Sequence, residues 1–192
     1  MTKQNVLVVL GSPKKNGNSA ILANKLVEGV KEAGADVESV YLQGLKIAPC
    51  SACDACVKNP KAGCVIKDDM IPLYKKIEKA TAIVFVSPTY WFNISAQLKL
   101  FIDRSYALRP GENKYAFSDK KVGIIMTFAD TDPFTSGAAN ALHSFQDICN
   151  FVGAKIIGIV YGSAEHPGEI EKNETVMKAA SDLGKKIVEE GN

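Results

Sequence analysis

The sequence predicts an α/β protein built on a doubly wound, five-stranded parallel sheet with helices on both faces. Three observations predict it. Short apolar runs rich in Val and Ile alternate along the chain with longer segments at helical spacing. The 192 residues are enough for one domain and few for two. The composition, 46% hydrophobic and 23% charged, is that of an average globular chain. No repeat, low-complexity tract or linker divides it. Residues 1–192 therefore read as a single domain, with a cysteine-rich loop at 48–66.

Each element has its own signal. Residues 5–10 form an apolar run that ends at Gly11, as a strand buried on both faces does. Over 19–33, Leu22, Leu26 and Val30 fall on one helical stripe, with Ala23 and Val27 beside it. Asn18 or Ser19 can cap that helix, and Gly34 suits its end. Residues 36–41 alternate as a strand. Residues 69–80 read as a helix, with Asp69 as cap and Pro72 tolerated in the first turn. Residues 82–87 are a second fully buried strand, and 95–107 a helix with Leu98, Phe101 and Ile102 inward. A strand at 122–127, a helix at 137–152, a strand at 155–161 and a helix at 173–190 complete the alternation. Sheets of this kind bind ligands at the carboxyl ends of strands, where strand order reverses. The loops after the first, third and fourth strands are thus the places to look.

Lys plus Arg number 23 and Asp plus Glu 21, a net charge of +2. That balance gives no electrostatic reason to bind nucleic acid or an anionic membrane. The N-terminal apolar run is too short for a signal-peptide core, and no stretch approaches the ~18 apolar residues of a membrane span. The end of the chain, 189–192, carries no lipidation pattern. The expectation is a cytoplasmic protein, where thiols stay reduced and clustered cysteines serve as ligands or redox groups.

The loop after the first strand reads Gly11-Ser12-Pro13-Lys14-Lys15-Asn16-Gly17-Asn18-Ser19. Ser12, Asn16, Asn18 and Ser19 offer hydroxyls and amides, and Lys14 and Lys15 offer charge, at a helix N-terminus that favours anions. The run lacks the G-x-G-x-x-G of dinucleotide loops and the Gly-Lys-Ser/Thr of the P-loop. It reads as a phosphate cradle or as an ordinary polar turn. The loop after the third strand, Ser87-Pro88-Thr89-Tyr90-Trp91-Phe92-Asn93, holds three consecutive aromatics. They call for a flat apolar ligand such as a flavin ring, with Asn93 at its polar edge, or for a protein contact.

Together these two segments resemble the NADPH-dependent FMN reductase superfamily. Residues 11–19 are similar to its FMN-phosphate loop. Ser87-Pro88-Thr89-Tyr90, followed by Leu98-Lys99 and Phe101-Ile102-Asp103-Arg104, is similar to its second segment. The resemblance implies a flavodoxin-like fold with strand order 2-1-3-4-5, bound FMN and a redox function. It places Ser12, Lys14, Asn16, Asn18 and Ser19 near the phosphate. It places Pro88, Thr89, Tyr90, Trp91 and Asn93 near the isoalloxazine, with Phe128, Ala129 and Asp130 closing the third side. It also implies a homodimer or homotetramer with flavin sites near subunit boundaries.

Four of the five cysteines lie in Cys50-Ser51-Ala52-Cys53-Asp54-Ala55-Cys56 and at Cys64. Three thiolates at three-residue spacing can converge on one small object, and a fourth completes a tetrahedron, as in Cys₄ ligation of an iron–sulfur cluster. Ser51, Ala52 and Ala55 are small, and Gly63 lets the chain turn. Zinc, a C-x2-C dithiol, and free or disulfide-bonded thiols are the other readings. The run also resembles the compact motif of the iron–sulfur flavoproteins, a branch of the same superfamily. That resemblance implies one [4Fe–4S] cluster held by Cys50, Cys53, Cys56 and Cys64.

Other residues read as structural. Cys149 lies on an apolar helix face with Ile148, Phe151 and Val152, and His143 and His166 have no partner in their local pattern. Asp68-Asp69 is explained by helix capping and Asp103-Arg104 by an ion pair, while 109–118 suits a lid or a partner-facing loop. The expected function is electron transfer between FMN and a [4Fe–4S] cluster, with NAD(P)H or a redox protein such as ferredoxin as partner. Such chemistry needs no catalytic side chain. The alternatives are an NAD(P)H-dependent FMN or quinone reductase without a cluster, and a flavin-free binding or regulatory module on the same fold.

Overall fold

The first strand, β1 (Asn5–Leu10), pairs in parallel with β2 (Asp36–Tyr41) on one side and β3 (Ala82–Tyr90) on the other. Beyond the two-residue β4 (Asn93–Ile94) follow β5 (Lys121–Phe128), parallel to β3, and β6 (Lys155–Ser163), parallel to β5. The order is β2-β1-β3-β5-β6, with β4 antiparallel to the end of β3. Counting only the five long strands, this is the expected 2-1-3-4-5. A computed structural model describes residues 4–109 and 114–190. Of the lid expected at 109–118, residues 110–113 lie outside the described residues, as do the chain ends 1–3 and 191–192.

The helices are α1 (Asn18–Glu32), α2 (Ala55–Lys58), α3 (Met70–Lys79), α4 (Ala96–Ser105), α5 (Ala138–Val152) and α6 (Glu174–Glu189). Strand residues of alternate parity point to opposite faces, and this divides the core in two. Leu7, Val9, Ile83, Phe85, Ile124 and Met126 pack against α3, α4 and α5. Val6, Val8, Ala82, Val84, Val86 and Ile125 pack against α1 and α6. Those two helices touch at glycines: a Cβ on Gly29 would lie 2.1 Å from the Ser181 carbonyl oxygen, and one on Gly184 would lie 2.2 Å from that of Leu26. No helix among the described residues is long and apolar enough to cross a membrane.

Several local expectations are corrected. Strand β3 runs three residues past its apolar core, because Pro88-Thr89-Tyr90 stays extended and folds back onto β4. Helix α1 is capped by neither Asn18 nor Ser19. Its N-cap is Gly17, with no side-chain acceptor. Asp69 occupies the N-cap of α3 but does not cap it. Its carboxylate accepts from the Lys46 amide, and Asp68 accepts from the Met70 amide instead. Asp103 and Arg104 do not pair: residues adjacent in a helix point apart, so Asp103 meets Lys99 at 2.7 Å and Arg104 meets Asp68 at 2.5 Å. Cys149 is core, but Phe151 on the supposed same face is 72% exposed.

Candidate flavin and cysteine sites

Two clefts meet at the carboxyl ends of the strands. The first, about 120 Å³, lies beyond the carboxyl ends of β1 and β3. Ser12, Lys14, Asn18 and Ser19 border it on one side and Pro88, Thr89 and Tyr90 on the other, with Phe128 and Ala129 at the end of β5. The second, about 670 Å³, shares Thr89, Tyr90, Phe128 and Ala129 and adds Trp91, Phe92 and Asp130. Of the residues expected to bind FMN, Asn16 and Asn93 border neither cleft. Asn16 is exposed, and the Asn93 side-chain oxygen Oδ1 accepts from the Ile94 amide at 2.8 Å.

The loop after β1 is a tight turn. The Lys14 amide donates to the buried Ser12 hydroxyl at 3.1 Å, and the Gly17 amide donates to the Lys14 carbonyl at 3.1 Å. With no side chain capping α1, the positive end of its dipole faces the first cleft. Asn18 works as a brace. Its amide nitrogen donates to the Ala164 and His166 carbonyls at 3.2 and 2.9 Å, and its oxygen accepts from the Ile170 amide at 3.4 Å. The Ser19 hydroxyl shares a 2.6 Å hydrogen bond with Thr127, beneath the same cleft. At the junction of the two clefts, the Thr89 hydroxyl is buried without a hydrogen-bond partner. A buried hydroxyl left unpaired costs about 1–3 kcal/mol, and the edge of a polar ligand in either cleft could pair with it.

The rim of the second cleft is strained. Tyr90 and Asn93 close a two-residue hairpin whose central residues, Trp91 and Phe92, have φ of 46° and 62°. Asn-Gly is the usual occupant of such a turn, and left-handed backbone costs other residues about 1–2 kcal/mol each. Strain of this kind gathers where a site holds a side chain in place. Phe92 seats on Gly137, where a Cβ would lie 2.4 Å from its own Cβ. The Asn140 amide nitrogen donates to its carbonyl at 3.4 Å. Trp91 is left 94% exposed at the mouth.

Helix α4 ties this region to the cysteines. At its start the Ser95 hydroxyl donates to the Gly11 carbonyl at 2.7 Å and accepts from the Leu98 amide at 3.3 Å, while the Ser95 amide donates to the Ser87 hydroxyl at 3.0 Å. In its last turn Arg104 holds the cysteine loop. Ten residues make α4 about 15 Å long.

Cys50, Cys53, Cys56 and Cys64 all border one small cavity of about 20 Å³, with Arg104 and Tyr106 behind them. Ala52 and Asp54, either side of Cys53, hold left-handed φ of 51° and 55°. Such turns direct successive amides inward and form concavities that suit anions and sulfur clusters. A hydrogen bond from the Ala55 amide, then one from Ser51, lowers the Cys53 pKa, whereas burial raises that of Cys56. The Arg104 guanidinium lies 3.5 Å from the Cys64 sulfur. The donor set is therefore right for a thiolate-bound group. Among the described residues, though, no three His, Cys, Asp or Glu side chains stand in an arrangement that could hold a metal ion.

The family profile of the NADPH-dependent FMN reductases matches residues 4–168. The chain belongs to this family. An iron–sulfur flavoprotein of Archaeoglobus fulgidus is 31% identical over 94% of the chain and 77% of the relative. A Bacillus subtilis protein described as an NAD(P)H-dependent FMN-containing oxidoreductase is 31% identical over 94% and 97%. Among solved structures, the Trp repressor binding protein of Bacillus subtilis superposes with a TM-score of 0.69 at 28% identity, over 94% of this chain and 99% of that one.

Membership makes the chain a flavin-dependent oxidoreductase of flavodoxin-like fold in the branch that contains iron–sulfur flavoproteins. The site also has parts that the loop motifs did not name. Thr127 is the last polar residue of an otherwise apolar strand end, a signal that was readable. Ala164 and Glu165 enter the first cleft from the end of β6, and Thr135 and Ser136 enter the second. Their run, Asp132-Pro133-Phe134-Thr135-Ser136, carries no helical or strand period, so nothing in it pointed to the cleft.

Proposed function

We propose that the chain is an electron-transfer flavoprotein that holds FMN in the two joined clefts and a [4Fe–4S] cluster on Cys50, Cys53, Cys56 and Cys64. One observation carries the reading. A single loop accepts left-handed backbone at two non-glycine residues and so lines one cavity with four thiols, about one ten-residue helix from the flavin cleft. The names of the archaeal relatives support it. The flavin and cluster would supply paired and single electron exchange when bound. The protein supplies position. Ser12, Lys14, Ser19 and the N-terminus of α1 suit the phosphate, with Asn18 bracing the wall. The unpaired Thr89 hydroxyl suits the polar edge of the ring, and Pro88, Tyr90, Phe128 and Ala129 enclose its apolar part. Asp130 is anchored by the Ser163 hydroxyl, which donates to its carbonyl at 2.5 Å.

Electron paramagnetic resonance of anaerobically purified, dithionite-reduced protein tests the reading. A reduced-cluster signal that vanishes in Cys53→Ala supports it, and a flavin signal alone overturns it. A second reading is an NAD(P)H-dependent quinone or FMN reductase without a cluster. The breadth of the second cleft favours it, because Trp91 and Phe92 stand off its mouth with room for a planar second ligand. Rapid anaerobic bleaching of the flavin by NADPH in an iron-free preparation would select this reading. Reduction by a reduced ferredoxin, and not by NADPH, would select the first.

A further inference from the structure

We propose that Arg104 sets the reduction potential of the group on the four cysteine sulfurs by donating a hydrogen bond to Cys64. The inference rests on the reading that these cysteines ligate an iron–sulfur cluster. Arg104 is only 1% exposed, a rare state for arginine unless it is paired. Its Nη1 donates to Asp68 Oδ2 at 2.5 Å and to the Ala48 carbonyl at 2.8 Å. Its Nη2 donates to Asp68 Oδ1 at 3.1 Å, to the Ile66 carbonyl at 3.4 Å and to Cys64 Sγ at 3.5 Å. The guanidinium thus clasps both ends of the cysteine loop to the end of α4.

Two features go beyond a clasp. One of the donors is spent on sulfur, a weak acceptor, although the forked Asp68 pair already satisfies the charge. Nε is buried without a partner, a cost that a purely structural anchor would avoid. Hydrogen bonds to cluster sulfurs favour the more electron-rich state and so raise the potential. Asp68 cancels most of the charge of Arg104, so the directed N–H, and not the net charge, carries the effect. Tyr74 fixes the end of α4 by donating to the Arg104 carbonyl at 3.0 Å. The couple concerned takes up one electron, and no bond is made or broken. Arg104 is a positioning residue, acting through Cys64.

The test compares full-length wild type, Arg104→Lys and Arg104→Gln after anaerobic cluster reconstitution. Lysine keeps the charge but lacks the planar fork that reaches Asp68, Ala48 and Cys64 together. Iron, sulfide and FMN contents, far-UV circular dichroism and separate potentiometric titrations of cluster and flavin are read on each protein. The expected result is iron-replete variants whose cluster is harder to reduce. The oxidised-to-reduced ratio at a fixed applied potential changes about tenfold, which is about 59 mV for a one-electron couple. The flavin potential stays where it was. An unchanged cluster potential in iron-replete variants overturns the proposal alone. Loss of iron from both variants with FMN retained overturns it too, leaving only a clasp. An iron-free wild type overturns both the proposal and the ligation reading beneath it. Should Arg104→Gln not fold, Arg104→Lys decides.

Discussion

Replacing Ser95 by Ala removes the joint between the loop after β1 and the helix that leads to the cysteines. The Ser95 hydroxyl makes two bonds in a fully buried place: it caps α4 by accepting from Leu98, and it donates to the Gly11 carbonyl. Loss of an N-cap costs about 1 kcal/mol. A buried carbonyl left without its donor costs about 1–3 kcal/mol. Together these give a destabilisation of about 3 kcal/mol, or about 6–12 °C in Tm for a domain of this size. Gly11 opens the loop proposed to hold the FMN phosphate, so FMN affinity is expected to fall as well, by about tenfold. Ser95→Gly separates the two contributions, because glycine at an N-cap costs only a few tenths of a kcal/mol while the Gly11 carbonyl still loses its donor. The assays are urea denaturation and fluorescence titration with FMN. If Ser95→Ala stays within about 0.5 kcal/mol of wild type and keeps its FMN affinity, the coupling through α4 is refuted.

Other outcomes follow from the same structure. Trp91→Asn places a residue that tolerates left-handed backbone at an exposed position; it should raise stability by about 1 kcal/mol in denaturation while slowing flavin reduction by NAD(P)H. Gly137→Ala drives a Cβ to 2.4 Å from that of Phe92 at a φ of 74°; it should cost more than about 2 kcal/mol, measured by denaturant midpoint, and weaken FMN binding. Burial pushes the Cys149 thiol up from 9.0 to about 11. Its pKa is higher folded than unfolded, so its contribution is complete below about pH 9 and is lost as pH rises towards 11, a change of about 2–3 kcal/mol. Stability measured across that window should fall less in Cys149→Ala than in wild type. A weaker Thr127→Val variant should lose the Ser19 hydrogen bond and about 1 kcal/mol with it.

What the sequence showed follows from how local each signal is. The two-faced burial of β1 and β3 writes itself as unbroken apolar runs, and the stripe of α1 as Leu22, Leu26 and Val30. Strand β4 stayed hidden because Trp91-Phe92 is a poor sequence for a turn that normally carries Asn-Gly. The fold imposes that turn against local preference, at the edge of the site. Asn18 has the chemistry of a cap, and tertiary contacts with Ala164, His166 and Ile170 claim it instead. The Arg104–Asp68 pair joins residues 36 apart, beyond any local pattern, so the helix neighbours Asp103 and Arg104 misdirected the reading. The cysteine motif was legible as spacing. Its left-handed turns at Ala52 and Asp54 were not, since neither residue advertises that backbone.

The proposed sites put two redox groups on one chain. The direct measurement is FMN, iron and acid-labile sulfide on one anaerobically prepared sample. The expected content is about one FMN with about four iron and about four sulfide per chain, with the iron and sulfide lost together when Cys56 is replaced by Ala and the FMN retained. Full FMN with no iron or sulfide, after anaerobic preparation and reconstitution, would contradict it.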